Sequence, residues 1–367
     1  MICFYIKNRQ CIPIMAVLNQ HVVATVVARN PDVGREFSKT SPLAEVMQLD
    51  RQSRHFDDVH APGRELEILM RADVVVMGVA DERVIQHCHG KKVMVFHGTF
   101  RYITAECTDK LDGFDAVWLS SPRQERMIRH HRKQARFQPV LIGYLPFLEF
   151  KDKTVETQRA IKEKLGVHGS RPIAVYLPAR RNFGSWCGEA LAMARQVPDG
   201  IELILRPHPN QLTRPTAGEI SLLHELERIG SRRENIHLDH GDYPYSDLLC
   251  IADLVISDAT SPAEESLYYD AAQLFTSANP AEALRRVCGE GGMPEPEIEM
   301  LLKLYDCGID TDRRQFDHWG RAIETALAEK DRFAAARREY FANAFGDFSN
   351  AAIVSRLKDA VARVTGS

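Results

Sequence analysis

Ala252-Asp253-Leu254-Val255-Ile256-Ser257-Asp258-Ala259-Thr260-Ser261-Pro262-Ala263-Glu264-Glu265 is the stretch on which the fold turns. Asp253–Ser257 reads as a nearly continuous apolar run, as expected of a parallel strand buried on both faces. It passes directly into a hydroxyl-bearing turn, and Pro262 suits the first turn of a following helix. Strand, tight polar turn and helix make the repeating unit of a doubly wound α/β domain. The start of such a helix offers unpaired N–H groups, and Thr260 and Ser261 beside them make a place for a diphosphate. An ordinary cap would need only one hydroxyl. Glu264 and Glu265 fall in the first helical turn, where carboxylates stabilise the helix dipole and either can accept from a ribose hydroxyl.

Working outward, the same half holds further strands at Pro172–Leu177, Ile201–Arg206 and Ile236–Leu238. In open α/β sheets ligands bind beyond the carboxyl ends of the strands, so the residues that follow each strand carry the functional information. Ile201–Leu205 is followed by Arg206-Pro207-His208-Pro209. Arg206 offers a fixed guanidinium fork and His208 a second donor, while the prolines stiffen the turn. A purely structural proline turn would not need Arg and His together, so anion binding is the favoured reading. Pro172–Leu177 ends in Pro178-Ala179-Arg180-Arg181-Asn182, where Arg180 and Arg181 suit either a ligand contact or a solvated loop.

The first half repeats the pattern, with strands at His21–Ala28, Asp73–Val79, Lys92–Phe96, Asp115–Ser120 and Gln138–Ile142 and helical stretches at Arg64–Arg71 and Pro122–Gln134 between them. Lys92–Phe96 runs into His97-Gly98-Thr99. A His at a strand end before a glycine sits where the chain turns sharply and a ligand can come close. His97 there suits a base, a phosphate donor, or a histidine that only satisfies a local backbone group. The pattern breaks at Gly143–Asp152 and restarts with a helix at Val155–Leu165. The expected architecture is therefore two Rossmann-like doubly wound domains, residues 1–150 and 151–367, facing across a cleft. Helices follow Arg313, the last one capped by Asp347-Phe348-Ser349.

Bulk properties narrow the function classes. A length of 367 residues suits two domains, and the net charge of −3 gives no global electrostatic case for nucleic acid. No apolar run reaches the length of a membrane span. Lys7 and Arg9 follow the apolar N-terminal residues, the reverse of a signal peptide, and the eight cysteines show no disulfide or metal spacing. A cytoplasmic location is expected, extending to the inner face of the membrane if the basic helix below engages lipid.

The turns, in their order, resemble the CDP-glycerol glycerophosphotransferase family, whose members build teichoic-acid-like polymers. The resemblance rests on His97-Gly98-Thr99, Gly143-Tyr144-Leu145-Pro146, Ile161-Lys162-Glu163-Lys164-Leu165-Gly166, Tyr176-Leu177-Pro178-Ala179-Arg180-Arg181, Arg206-Pro207-His208-Pro209 and Ala252–Ser261, and covers about residues 90 to 270. It implies a two-domain GT-B-like fold, His97 as base or transition-state stabiliser, and Arg206, His208, Thr260 and Ser261 as donor-phosphate contacts. Gly98, Ser257, Asp258, Glu264 and Glu265 join them as candidate donor-binding residues of the same turns. A transferase without metal or cofactor is expected, because the helix start and the cationic side chains supply the charge. Thr99, Arg180 and Arg181 are further candidate donor or acceptor contacts. The partners implied are a nucleotide-activated donor, CDP-linked by preference, and a polysaccharide or lipid-linked acceptor. Ala259-Thr260-Ser261 replaces the family's Tyr-Ser-Ser, and the Glu264-Glu265 pair is reminiscent of UDP-N-acetylglucosamine 2-epimerases. A nucleotide-sugar epimerase and a non-catalytic nucleotide-sugar binding protein are the alternatives.

Two further stretches each have two readings. Asp310-Thr311-Asp312 follows Cys307-Gly308-Ile309 and reads as a loop and helix cap rather than a cation clamp. The stretch holding Arg123, Arg126, Arg129, Arg132, Lys133 and Arg136 places basic residues at helical spacing. It reads either as a solvated face or as a surface for anionic lipid or a phosphate-rich acceptor.

Overall fold

The computed structural model describes residues 1–49, 63–96, 98–99, 103–132, 135–213 and 215–366. Within it the chain forms two compact units. The first comprises Met1–Glu149 with Glu290–Glu297 and Asn343–Ser367, and the second Phe150–Gly289 with Ile298–Ala342.

The first unit is built on seven parallel strands: β1 (Ile2–Ile6), β2 (Thr25–Ala28), β3 (Val46–Gln48), β4 (Val74–Met77), β5 (Lys91–Val95), β6 (Ala116–Leu119) and β7 (Gln138–Leu141). Their order is β3-β2-β1-β4-β5-β6-β7. The chain winds outward from β1, returns to its other side, and winds outward again. β1 and β4 pair in register, Cys3 against Val75, and both are shielded on their two faces. That burial is why β4 reads as Val-Val-Val-Met. β1 was not anticipated. Its Cys3 and Tyr5 interrupt the β-branched pattern, yet both are buried at the centre of the sheet.

The second unit has six parallel strands: β8 (Ile173–Leu177), β9 (Glu202–Leu205), β10 (Ile236–Leu238), β11 (Leu254–Ser257), β12 (Ala272–Phe275) and β13 (Ile309–Asp310), ordered β10-β9-β8-β11-β12-β13. The core on one face is closed by Trp186, Met193, Leu226 and Ile323 packed over Leu203, Leu205 and Leu254. Both sheets thus follow the Rossmann winding order, and each reverses direction between its first and fourth strands. In the second unit that switch point lies between β8 and β11.

The tail departs from a division into 1–150 and 151–367. The helix Asn350–Thr365 buries Ile353, Leu357, Ala360 and Val364, one helical face, and belongs to the first unit with residues 290–297. Phe345 packs on Phe147 with ring centroids 4.9 Å apart, and Arg356 Nε donates to the carbonyl of Ile142 at 3.4 Å. Gly143 sits beneath that helix with φ +93°, where a Cβ would stand 3.0 Å from both Ile353 and Arg356. Conformation and space both demand glycine there. As anticipated, Ser349 caps this helix, its Oγ accepting from the N–H of Ala352.

Candidate functional site

β8 and β11 are parallel neighbours, with Leu177 in register with Ser257, so the turns that leave them lie side by side. Asp258, immediately after β11, is fully buried. Its Oδ2 accepts the backbone N–H groups of Ala179 at 2.6 Å and Ser185 at 3.1 Å. Its Oδ1 accepts the hydroxyls of Ser185 and Thr276. One carboxylate therefore fixes the turns after β8, β11 and β12. Gly184 allows this closure, because a Cβ there would lie 2.4 Å from the Ala179 carbonyl oxygen. Asp258 is expected from the sequence to touch the donor; in the structure its oxygens are engaged by protein groups, and it ties these turns together.

Other expected donor contacts are also turned inward. Ser257 is fully buried at the end of β11. Glu264 is fully buried and accepts the hydroxyl of Tyr340, so its carboxylate belongs to the core rather than to a ribose. Glu265 lies against Tyr245, whose phenol is pushed well above its ordinary pKa by burial and then by the Glu265 charge. Arg206 was read as an open anion fork. In the structure its Nη1 donates to Asp239 Oδ2 at 3.0 Å and to the Tyr243 carbonyl at 2.7 Å. Its guanidinium also lies 5.9 Å from the Tyr245 ring centroid. Arg206 thus ties the end of β9 to the turn after β10.

Arg180 and Arg181 part company. Arg181 makes a two-pronged pair with buried Glu219, Nε to Oε1 at 2.8 Å and Nη2 to Oε2 at 2.7 Å, and Nη2 also donates to the Asn210 carbonyl. Glu219 doubles as the capping-box residue of the helix Ala217–Gly230, so Arg181 is a structural bolt. Arg180 is exposed, stacks its guanidinium 4.3 Å from the Phe183 ring centroid, and pairs with no carboxylate among the described residues.

His208 sits close enough to Arg180 to feel its charge. Burial chiefly, and then Arg180, hold its pKa below the ordinary value against an opposing hydrogen bond from Asn210. The ring is therefore neutral at pH 7. Asn210 engages Nδ1, with its side-chain oxygen at 3.0 Å and its backbone nitrogen at 3.2 Å. His208 is itself seated by Gln211, whose buried Oε1 accepts its backbone N–H at 2.8 Å.

Across the switch point, Thr260 precedes the short helix Ser261–Ser266 and its hydroxyl makes no capping bond. Ala259 before it is left-handed, φ +50°, a conformation that costs a non-glycine residue about 1–3 kcal/mol and persists where surroundings enforce it. The second unit thus places Arg180, Phe183, His208, Thr260 and Ser261 on the turns that follow the neighbouring strands β8, β9 and β11. Phe183, Asn210, Glu219 and Tyr245 were not anticipated. Only the aromatic Phe183, in a loop of otherwise polar and small residues, gave a signal in the sequence.

In the first unit His97 and Lys133 lie outside the described residues. Gly98 is left-handed at φ +78°, as a sharp turn after β5 requires. Thr99 is buried, and its carbonyl accepts Gln124 Nε2 at 3.0 Å, while Gln124 Oε1 accepts the Ser120 N–H at 2.8 Å. Thr99 therefore anchors the turn and does not present its side chain to solvent.

The basic helix, Pro122–His131, differs from a cationic face. Arg123 is buried. Arg126 pairs with Glu297, Arg129 with Glu125, and Arg132 with Asp109 and Asp112. Of the described members only Arg136 is exposed and without an acidic partner. The sequence pattern counted charge along the chain, whereas the neutralising carboxylates come mostly from other elements.

Asp310 lies on edge strand β13 and is buried, not in a loop, and burial raises its pKa. Among the described residues no cluster of three or more His, Cys, Asp or Glu is placed to hold a metal. No described helix is long and apolar enough to cross a membrane.

No family model matches the sequence, and no curated protein matches it closely enough to count. Solved structures do match in fold. Wall Teichoic Acid Polymerase TagF aligns over 100% of this chain and 89% of its own, with TM-score 0.63 and 14% identity; a variant soaked with CDPG gives 0.65. Anabaena Alr3699/HepE in complex with UDP-glucose aligns over 99% of both chains, with TM-score 0.56 and 13% identity. A glycosyltransferase from Rickettsia africae ESF-5 aligns at TM-score 0.52 and 11% identity, over 99% of this chain and 98% of that one. The chain therefore has the two-domain α/β, GT-B-like fold of these proteins.

Proposed function

We propose that this chain is a transferase that takes a group from a nucleotide-activated donor, CDP-linked by preference. The group is a glycerophosphate, polyol phosphate or sugar, and the acceptor is a hydroxyl of a cell-envelope or capsule polysaccharide or its lipid-linked precursor. The observation that carries this reading is an exposed, acid-free Arg180 beside a neutral His208 at the switch point of the second unit. Arg180 neutralises the donor diphosphate, whose charge grows as the leaving group departs. In the tautomer whose Nδ1 accepts the Asn210 N–H, His208 donates from Nε2, and the Thr260 and Ser261 hydroxyls donate to the same phosphates. Asp258, Arg181 and Arg206 act one step back, by fixing the turns. The TagF structure soaked with CDPG supports a CDP-linked donor, and the UDP-glucose complex of HepE supports a sugar nucleotide as the next choice.

For a CDP-linked polyol the acceptor oxygen bonds to the distal phosphorus. The bond from that phosphorus to the bridging oxygen breaks, and CMP leaves with the electron pair. The acceptor proton passes to a base, the role proposed for His97 on its motif. Cations of the protein supply the charge that a metal supplies elsewhere. The test is calorimetric titration of CDP, UDP and GDP into wild type and Arg180→Ala, followed by CMP release from CDP-glycerol with and without acceptor. CDP binding that weakens at least tenfold in Arg180→Ala, with acceptor-dependent CMP release, is expected. Nucleotide affinity unchanged by Arg180→Ala overturns the donor assignment, and release independent of acceptor points to a hydrolase.

A further inference from the structure

The first unit has its own switch point, between β1 and β4, and a cavity of about 350 Å3 opens there. It is lined by Lys7, Arg29, Arg83 and Lys110 against only Asp81 and Glu82. Lys7 follows β1, Arg29 follows β2, and Asp81 follows β4, so three strand ends converge on it.

Asp81 is buried and organises the site. Tyr5 donates to its Oδ2 at 3.1 Å. Lys7 Nζ and Arg29 Nη1 stand 3.6 and 3.7 Å from the same oxygen, too far for hydrogen bonds. They are held near the carboxylate by charge without giving up donors to it. Lys7 uses one donor on the Ala80 carbonyl, at 2.8 Å, which aims the ammonium. Arg206 and Arg181, by contrast, make close hydrogen bonds to their carboxylates. The turn carrying Ala80 and Asp81 is rigid at its start, because Gly78 packs so tightly that a Cβ would lie 3.0 Å from Cys11.

We propose that this cavity binds a phosphate ester bearing a nearby hydroxyl. Lys7 and Arg29 contact the phosphate, Arg83 lies at the rim, and Asp81 Oδ1 accepts the hydroxyl. Lys110 pairs with Glu106 at 2.8 Å, whereas Lys7 and Arg29 share the single carboxylate of Asp81, so an anionic phosphate completes their pairing. Among the described residues the side-chain contacts to Asp81 fall on Oδ2, and Oδ1 is assigned to the ligand. In a transferase this ligand is the acceptor, an identification that rests on the proposed function; the binding does not.

The probes are glycerol 3-phosphate, glycerol, and vesicles of phosphatidylcholine with or without phosphatidic acid, titrated into the full chain. Wild type is expected to bind glycerol 3-phosphate and not glycerol. Loss of one charged hydrogen-bonding partner should weaken binding on the order of tenfold or more in Arg29→Gln. Arg83→Gln, which leaves the Asp81 cluster intact, should weaken it as well and guards against misfolding of the first variant. Binding to phosphatidic acid vesicles alone, lost in Arg83→Gln, assigns the phosphate to a lipid headgroup and supports the site. No binding of either phosphate source, or equal binding by both variants and wild type, overturns it. CDP affinity measured on the same proteins separates the readings. It should stay unchanged in Arg29→Gln and Arg83→Gln, and its absence in wild type would count against the donor assignment only.

Discussion

The carboxylate of Asp258, at the end of β11, accepts the backbone N–H of Ala179, just beyond β8, at 2.6 Å. The two residues are far apart in sequence and adjacent at the switch point, so this bond decides where Arg180, the next residue, emerges. A buried carboxylate with several donors is a fixed point, and the residues of the candidate site are placed relative to it.

Asp258→Ala should therefore act on stability first. It strips the acceptor from the buried N–H of Ala179, the partly buried N–H of Ser185 and the buried hydroxyl of Thr276, and each buried group left unsatisfied costs about 1–3 kcal/mol. A loss of about 3 kcal/mol or more is expected from urea unfolding, together with weaker nucleotide binding. A loss under about 1 kcal/mol would show that the loops hold without it.

Arg180→Ala and Arg181→Ala should separate binding from stability. Arg180 rests on an exposed aromatic ring, so its removal should leave the melting temperature nearly unchanged and weaken nucleotide binding. Removing Arg181 leaves the buried Glu219 carboxylate without its guanidinium partner. That carboxyl is held below its ordinary pKa by Arg181 and Thr216 against the opposing effect of burial. Arg181→Ala should lower the melting temperature clearly, and the more so as pH rises and Glu219 ionises. Equal thermal effects of the two substitutions would contradict the division.

His208 gives a pH dependence of definite sign. Its folded pKa lies below the unfolded value of about 6.5, so between these two values the unfolded chain binds more protons. Stability from this group is complete above about pH 6.5 and is lost as pH falls toward the folded value. Nucleotide affinity should move the other way, because a protonated His208 holds a diphosphate more strongly. Both slopes should flatten in His208→Gln, measured as unfolding free energy and CDP affinity between pH 5 and 8. An unchanged affinity slope in the variant would remove His208 from the phosphate contacts.

Much of the fold was legible because parallel strands buried on both faces leave apolar runs, as at Ile173–Leu177 and Leu254–Ser257. β12 was hidden by Gln273, a polar residue buried in the strand, whose Nε2 donates to Ser266 Oγ and the Ala271 carbonyl. β13, with only Ile309 and Asp310, is too short to show any period. At the candidate site the turns were legible, but their side chains' roles were not. Whether an arginine or a carboxylate meets a ligand depends on partners distant in sequence: Asp239 for Arg206, Ala179 and Thr276 for Asp258, Tyr340 for Glu264. Residue type announced the capacity to bind, and only the tertiary contacts showed where it was already used.

The basic helix carries that lesson to a measurable end. Charge counted along Arg123–Arg136 suggests attraction to an anionic surface, yet Arg126, Arg129 and Arg132 each face a carboxylate within 2.5 to 2.8 Å. A vesicle must compete with those carboxylates for every guanidinium, and in 0.15 M salt the net attraction is screened within about 8 Å. Arg126→Glu, Arg129→Glu and Arg132→Glu together should leave co-sedimentation with anionic vesicles little changed. They should instead lower stability, because each new carboxylate faces an existing one, most severely at position 132, which already faces Asp109 and Asp112. Strong vesicle binding by wild type that disappears in the triple variant, with an unchanged melting temperature, would restore the helix as a membrane surface.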